Sequence, residues 1–205
     1  MKSILIWVSA GVIGAILGTV SALMMAGLLP IGPQLGGRVE VNGWTSDWSI
    51  GSETANPYVR ARVARHGLLA LRKEEAVYFT RTKDDEGQSL QENCTYAVSG
   101  GELPAQWWSI TLYDSGSRLP MNEDEALSFD ATKAVDDTAS LKEWSFTVAS
   151  SRPLESGENW VSSLGGGQFD LMLRLYRPSL SLLSEPEATL RPPSVQRLSC
   201  DGDML

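Results

Sequence analysis

A single histidine, His66, restricts the acid–base chemistry open to this 205-residue chain. Any Ser-His-Asp arrangement would depend on that one residue, and no G-x-S-x-G turn presents a nucleophile. His66 follows Arg60, Arg62 and Arg65 on a stretch of helical character and reads as a surface or packing residue. Two cysteines and one histidine fall short of the four ligands that a structural zinc site takes. Carboxylates cluster at Asp84-Asp85-Glu86, at Asn122–Glu125 and at Asp201-Gly202-Asp203. They could offer oxygens to calcium, but none has the length or spacing of a calcium loop, and all three read as solvated turns. Gly165-Gly166-Gly167 could bring backbone N–H groups to a phosphate. No Lys-Ser/Thr follows it and a strand comes next, so it reads as a flexible turn. No catalytic residue, metal site or cofactor is predicted, and the balance leans away from an enzyme.

Recognition chemistry is better represented. Arg174 lies on the strand face opposite a row of leucines, and Arg60 belongs to the arginine group before His66. Arginine pairs bidentately with carboxylates, so an acidic ligand or partner surface competes with internal ion pairs as their role. Trp107 and Trp108 are adjacent on one strand and point to opposite faces. One of them is therefore expected at the surface, where it could stack on a sugar ring or a partner; core burial is the alternative.

Stepping outward, Trp107–Tyr113 and Phe169–Tyr176 alternate with period two, the second with Phe169, Leu171, Leu173 and Leu175 on one face. Ala76–Thr80, Cys94–Val98, Trp144–Val148 and Val195–Leu198 are further β-rich runs bounded by Gly, Pro, Asp or Asn. Asn56-Pro57 supplies an N-cap and a first helical residue for a helix from Tyr58 to His66, with Gly67 as its stop. Asn122–Asp137 reads mostly as loop. Trp44 and Trp48 either cap the core or sit in an interfacial aromatic belt. The fold class is mainly β, a sandwich or barrel-like domain with a short helix.

Ile4–Leu29 contains no charged residue. At ~1.5 Å per residue it is long enough to cross a bilayer core of ~30 Å. It is longer than a signal-peptide core and lacks an Ala-x-Ala site, which favours an uncleaved transmembrane helix. Lys2 precedes it and Arg38 is the next cation, so the N-terminus is expected inside and the large domain outside. Ala10, Gly14, Gly18, Ala22 and Ala26 recur every four residues, and Gly14 and Gly18 are the candidates for close helix association, with another copy or another protein. The expected divisions are an anchor at 1–30, a linker and juxtamembrane segment at 31–55, a β domain at 56–200 and a tail at 201–205.

The formal net charge is −8, and without Lys2 the outer domain is more acidic still. Nucleic acid is thereby disfavoured as a partner. Outside the cytoplasm an isolated pair such as Cys94 and Cys200 is expected to form a disulfide, with two buried thiols as the alternative.

The segments WWSITLYDSGSRLPMN, FDLMLRLYRP and PPSVQRLSC resemble the bacterial domain of unknown function 1214. NPYVRARVARHGLLAL and EAVYF are similar to its short membrane-anchored form, and the pieces run in family order from Asn56 to Cys200. The resemblance implies a β-sandwich of jelly-roll type. It also implies association with a separate protein carrying the domain of unknown function 1254, for which this chain has no room. The positions of Cys94 and Cys200 fit the short form and support the bridge. The family carries no catalytic motif, so no catalytic residue is transferred. The expected function is a non-catalytic envelope subunit of the bacterial inner membrane, its domain periplasmic. The alternatives are an envelope hydrolase with a cleft or shared site, and a glycan- or ligand-binding module.

Overall fold

The computed structural model describes residues 2–29, 37–52, 55–65, 71–134, 143–154 and 159–201. Helix α1 spans Lys2–Met25 and is long and apolar enough to cross a membrane; its side chains touch little else in the chain. It ends in a Schellman turn, with Gly27 N–H donating to Met24 O (3.0 Å) and Leu28 N–H to Leu23 O (2.9 Å). Gly27 takes φ +72°, the left-handed conformation that glycine adopts without a Cβ penalty.

The β domain is a jelly-roll-like sandwich of two sheets. Six strands, β1 (Arg38–Val41), β2 (Trp44–Asp47), β3 (Ala76–Arg81), β5 (Ala105–Asp114), β6 (Ser128–Asp130) and β9 (Phe169–Pro178), form one sheet in the order β1-β2-β3-β9-β5-β6. The other sheet has the order β10-β4-β7-β8, from β4 (Cys94–Gly100), β7 (Trp144–Ala149), β8 (Trp160–Ser162) and β10 (Ser194–Cys200). All pairings are antiparallel except β7 with β8. Among the described residues there are three further helices: α2 (Pro57–Arg65), α3 (Leu180–Ser184) and α4 (Pro186–Thr189). Asn56 Oδ1 accepts from Tyr58 N–H (2.9 Å) at the start of α2, and Ser179 Oγ accepts from Leu182 N–H (3.2 Å) at the start of α3.

Aromatic side chains fill the space between the sheets. Trp108 on β5 meets Trp144 on β7 with ring centroids 4.5 Å apart, and Phe129 on β6 stacks on Phe146 of β7 at 4.6 Å. Tyr96 on β4 meets the edge of Phe169 on β9 at 5.9 Å. The leucines of β9 alternate inward as their spacing predicts. Cys94 and Cys200 are bridged, pinning the last residue of β10 to the first of β4.

Two stretches differ from the sequence reading. The segment expected as linker, 31–55, carries β1 and β2, which extend the larger sheet; Trp44 is wholly buried and donates its Nε1–H to Pro193 O (2.8 Å). Four-residue strands are too short to show a period, and what joins this hairpin to the sheet is β3, which β2 meets at Thr45 and Thr80. The expected loop 122–137 holds β6, whose Phe129 is drawn into the core. Trp48 packs on Phe79 (6.0 Å) with Lys73 Nζ over its ring, so both Trp44 and Trp48 serve the domain.

Candidate functional site

Because side chains alternate along a strand, the leucines that β9 sends inward leave Asp170, Met172, Arg174 and Tyr176 on the outer face of the larger sheet. Strand register then chooses their neighbours. Tyr176 lies between Ala76 of β3 and Trp107 of β5; Arg174 lies between Tyr78 and Ser109; Met172 lies between Thr80 and Thr111. Trp107 packs on Tyr176 with centroids 5.3 Å apart and remains 39% exposed.

Arg174 is the charge at the centre of this face. Its guanidinium lies 5.4 Å from the centroid of the Tyr113 ring, donates to the Tyr113 hydroxyl, and reaches Thr111 Oγ1 at 3.4 Å. Both acceptors are neutral. Among the described residues no carboxylate stands within ion-pair distance of it, in a chain with 25 acidic residues. Burial raises the Tyr78 phenol above its ordinary pKa, opposed by a hydrogen bond with the Leu71 backbone and by the Arg174 charge. The face is thus a half-buried aromatic surface with Arg174 near its middle, Asp170 further along the same face of β9 and the Glu75 carboxylate acting on Tyr78. It can offer ring stacking and a planar set of N–H donors to a carboxylate or phosphate.

Residues 75–180 match the family described as a protein of unknown function, DUF1214. The chain belongs to this family. Every residue of the Arg174 face lies inside the DUF1214 match, whereas α1, α2 and Cys200 lie outside it. No curated protein matches the chain. Among solved structures, the VPA0106 protein from Vibrio parahaemolyticus aligns with a TM-score of 0.55 at 16% identity, over 71% of this chain and 36% of that one. The likeness shows a shared fold, and the chain spans about a third of that protein's length. An uncharacterized protein from Burkholderia cenocepacia aligns at TM-score 0.40 and 12% identity, over 60% of this chain and 29% of that one.

The other residues singled out in the sequence fall in different places. Trp108 is 4% exposed in the aromatic core, so only Trp107 of the pair reaches the surface. Arg60 is exposed on α2, remote in sequence from the DUF1214 face. Gly14 and Gly18 have open space where a Cβ would stand, leaving that side of α1 accessible to a second helix. Their replacement by leucine is expected to abolish association through α1, read by crosslinking in detergent; unchanged crosslinking removes α1 from any interface. His66 lies outside the described residues. No group of three or more His, Cys, Asp or Glu capable of holding a metal occurs among the described residues.

The acidic turn 84–86 is solvated at Asp85 and Glu86, as its composition predicts, but not at Asp84. Asp84 is buried, with Oδ1 accepting from Glu86 N–H (3.0 Å) and Gln88 N–H (2.8 Å) and Oδ2 3.6 Å from Arg197 Nε. Asp85 accepts from Arg81 Nη2 (2.6 Å) and from Val195 N–H (3.0 Å). The turn fastens β10 to β3, a task invisible without the tertiary partners. The glycine turn does bind an anion through its backbone, but an internal one. Gly165 N–H (2.9 Å) and Gly167 N–H (2.8 Å) donate to the two carboxylate oxygens of Glu92. A surface hollow of about 430 Å³ there is lined by Glu92 and Asp201, but the Glu92 carboxylate is already held by both glycines. Tyr176 shares the face of Arg174 by alternation along β9 alone, but Tyr78 and Tyr113 escaped the sequence reading as its neighbours. Only strand register places them around Arg174.

Proposed function

We propose that the chain is a membrane-tethered, extracytoplasmic subunit without catalytic activity of its own, which docks a companion protein through the outer face of the larger sheet. The observation that carries this reading is Arg174, set among Tyr78, Tyr113, Tyr176 and Trp107 with no carboxylate partner among the described residues. Trp, Tyr and Arg are the side chains that dominate protein interfaces. The aromatic filling between the sheets supports a docking role over a cleft enzyme. The 36% share of the VPA0106 protein that this fold occupies supports a module working beside further protein. The companion is a protein carrying the domain of unknown function 1254. In this reading α1 anchors the chain in the bacterial inner membrane with its N-terminus cytoplasmic, the β domain lies in the periplasm, and the bridge accords with an oxidising compartment.

Affinity purification of the tagged full-length chain from its native membrane in mild detergent tests the reading. One stoichiometric partner is expected. Because interface hot spots are worth about 2 kcal/mol or more, Trp107→Ala and Arg174→Ala are each expected to weaken capture by about thirtyfold. A single species with no partner overturns the subunit reading. The exposed Trp107 ring supports a second reading, a glycan- or ligand-binding module. A saturable change in tryptophan fluorescence on titration with acidic oligosaccharides, lost in Trp107→Ala, would establish it in place of the first.

A further inference from the structure

One arginine of α2, Arg62, lies against the end of α1. Arg62 donates from Nε to Met25 O (3.0 Å) and reaches Met24 O from Nη2 (3.5 Å), across 37 and 38 residues of sequence. Those carbonyls belong to the last turn of α1, where a cation also meets the negative end of the helix dipole. The stem of Arg62 lies along Gly27, where a Cβ would meet its Cγ at 3.2 Å. A side chain at Gly27 would therefore have to displace the Arg62 stem, besides being strained by the positive φ. Val59 is buried, whereas Arg60, Ala61 and Ala64 are exposed, so α2 keeps an outward surface carrying Arg60.

Charge distinguishes this place from the rest of the chain. The segment Pro57–Arg65 contains three arginines and no acidic residue, in a chain of net charge −8. If α1 crosses the bilayer, as the anchor reading holds, its capped end lies where the apolar stretch gives way to headgroups. Arg62 then fixes α2 at that level. Arginine is suited to phosphate because its planar fork matches two phosphate oxygens.

We propose that α2 is a headgroup-level clamp that binds the phosphate of an anionic phospholipid through Arg60, with Arg62 as the positioning residue that locks α2 to the end of α1. The clamp rests on the anchor reading and not on the docking face. It would hold the β domain at a set distance and orientation above the membrane.

The test uses the full-length chain in nanodiscs of phosphatidylcholine, with and without about one-third phosphatidylglycerol, read by native mass spectrometry and hydrogen exchange. Retention of phosphatidylglycerol is expected, falling about fivefold in Arg60→Ala and unchanged in Arg118→Ala, whose exposed side chain pairs with Asp114 on the turn after β5. Arg62→Ala is expected to speed amide exchange across residues 57–65 in both lipid mixtures. Equal lipid retention by the parent chain and Arg60→Ala overturns the lipid site. Unchanged exchange in Arg62→Ala overturns the lock. Release of the parent chain from native membranes by alkaline carbonate overturns the anchor reading itself, a failure distinct from either of the others.

Discussion

Trp144→Ala is expected to lower the unfolding free energy by about 3–5 kcal/mol, a large part of the 5–15 kcal/mol typical of a folded domain. Three contributions converge on this side chain. Its ring sits 4.5 Å from Trp108, 5.8 Å from Phe129 and 6.3 Å from Phe146, so truncation opens a cavity where the two sheets meet. Its Nε1–H donates to Gly101 O at 2.8 Å, a bond lost with the indole. Its six-membered ring also lies against the bare backbone of Gly100, where an added Cβ would stand only 2.6 Å from Cζ2. Glycine is required there to admit the ring, so the neighbouring strand cannot close the cavity with a side chain of its own. Trp144→Phe keeps part of the stacking and is expected to cost about half as much. Trp107→Ala, on the outer face, is expected to stay within about 1 kcal/mol. Urea unfolding of the three variants, followed by circular dichroism, checks the order. Equal losses for Trp144→Ala and Trp107→Ala would remove the aromatic cluster as the main bond between the sheets.

The contrast between these tryptophans shows how far the sequence can be read. Alternation says that Trp107 and Trp108 face opposite ways, but it does not say which way is in. That depends on the second sheet, whose Trp144 receives Trp108 from 36 positions along the chain. The long strands β5 and β9 are legible because ten residues each display a clear period. β1 and β2 are not, because four residues beside Gly and Trp carry too little pattern and their place depends on β3. Arg174 stands out in the sequence as the cation on the face opposite the leucines, which it shares with Asp170, Met172 and Tyr176. Tyr78 and Tyr113 do not, since they come to it only through register and reach across the sheet. For the same reason Arg62 reads as one arginine of a basic helix, while its contact with Met25 belongs to tertiary structure.

Removing the Cys94–Cys200 bridge is expected to cost about 2–5 kcal/mol and to loosen one end of β10 before the rest. The chain-entropy model sets the upper figure, because the bridge closes a loop with a sequence separation of 106. Where the loosening begins follows from the other fastenings of β10. Its first half is held by Asp85, which exchanges hydrogen bonds with Val195, and by Arg197, which donates to Glu86 Oε2 at 2.8 Å. After Arg197 the register shifts, Leu198 is exposed, and the disulfide is the covalent tie at the far end. In Cys94→Ser/Cys200→Ser, amide exchange is therefore expected to rise from Leu198 to Asp201 while Val195 stays protected. Uniform acceleration along β10 would mean that Asp85 and Arg197 contribute little to its pairing. The same two sulfurs read the topology of the whole chain. With the β domain outside the cytoplasm, denatured protein from intact cells is expected to resist a thiol-reactive polymer until a reductant is added, and then to take up two. Labelling without reductant would place the domain in a reducing compartment. The orientation drawn from Lys2 and Arg38 would then be reversed, and with it the side of the membrane on which a companion must be sought.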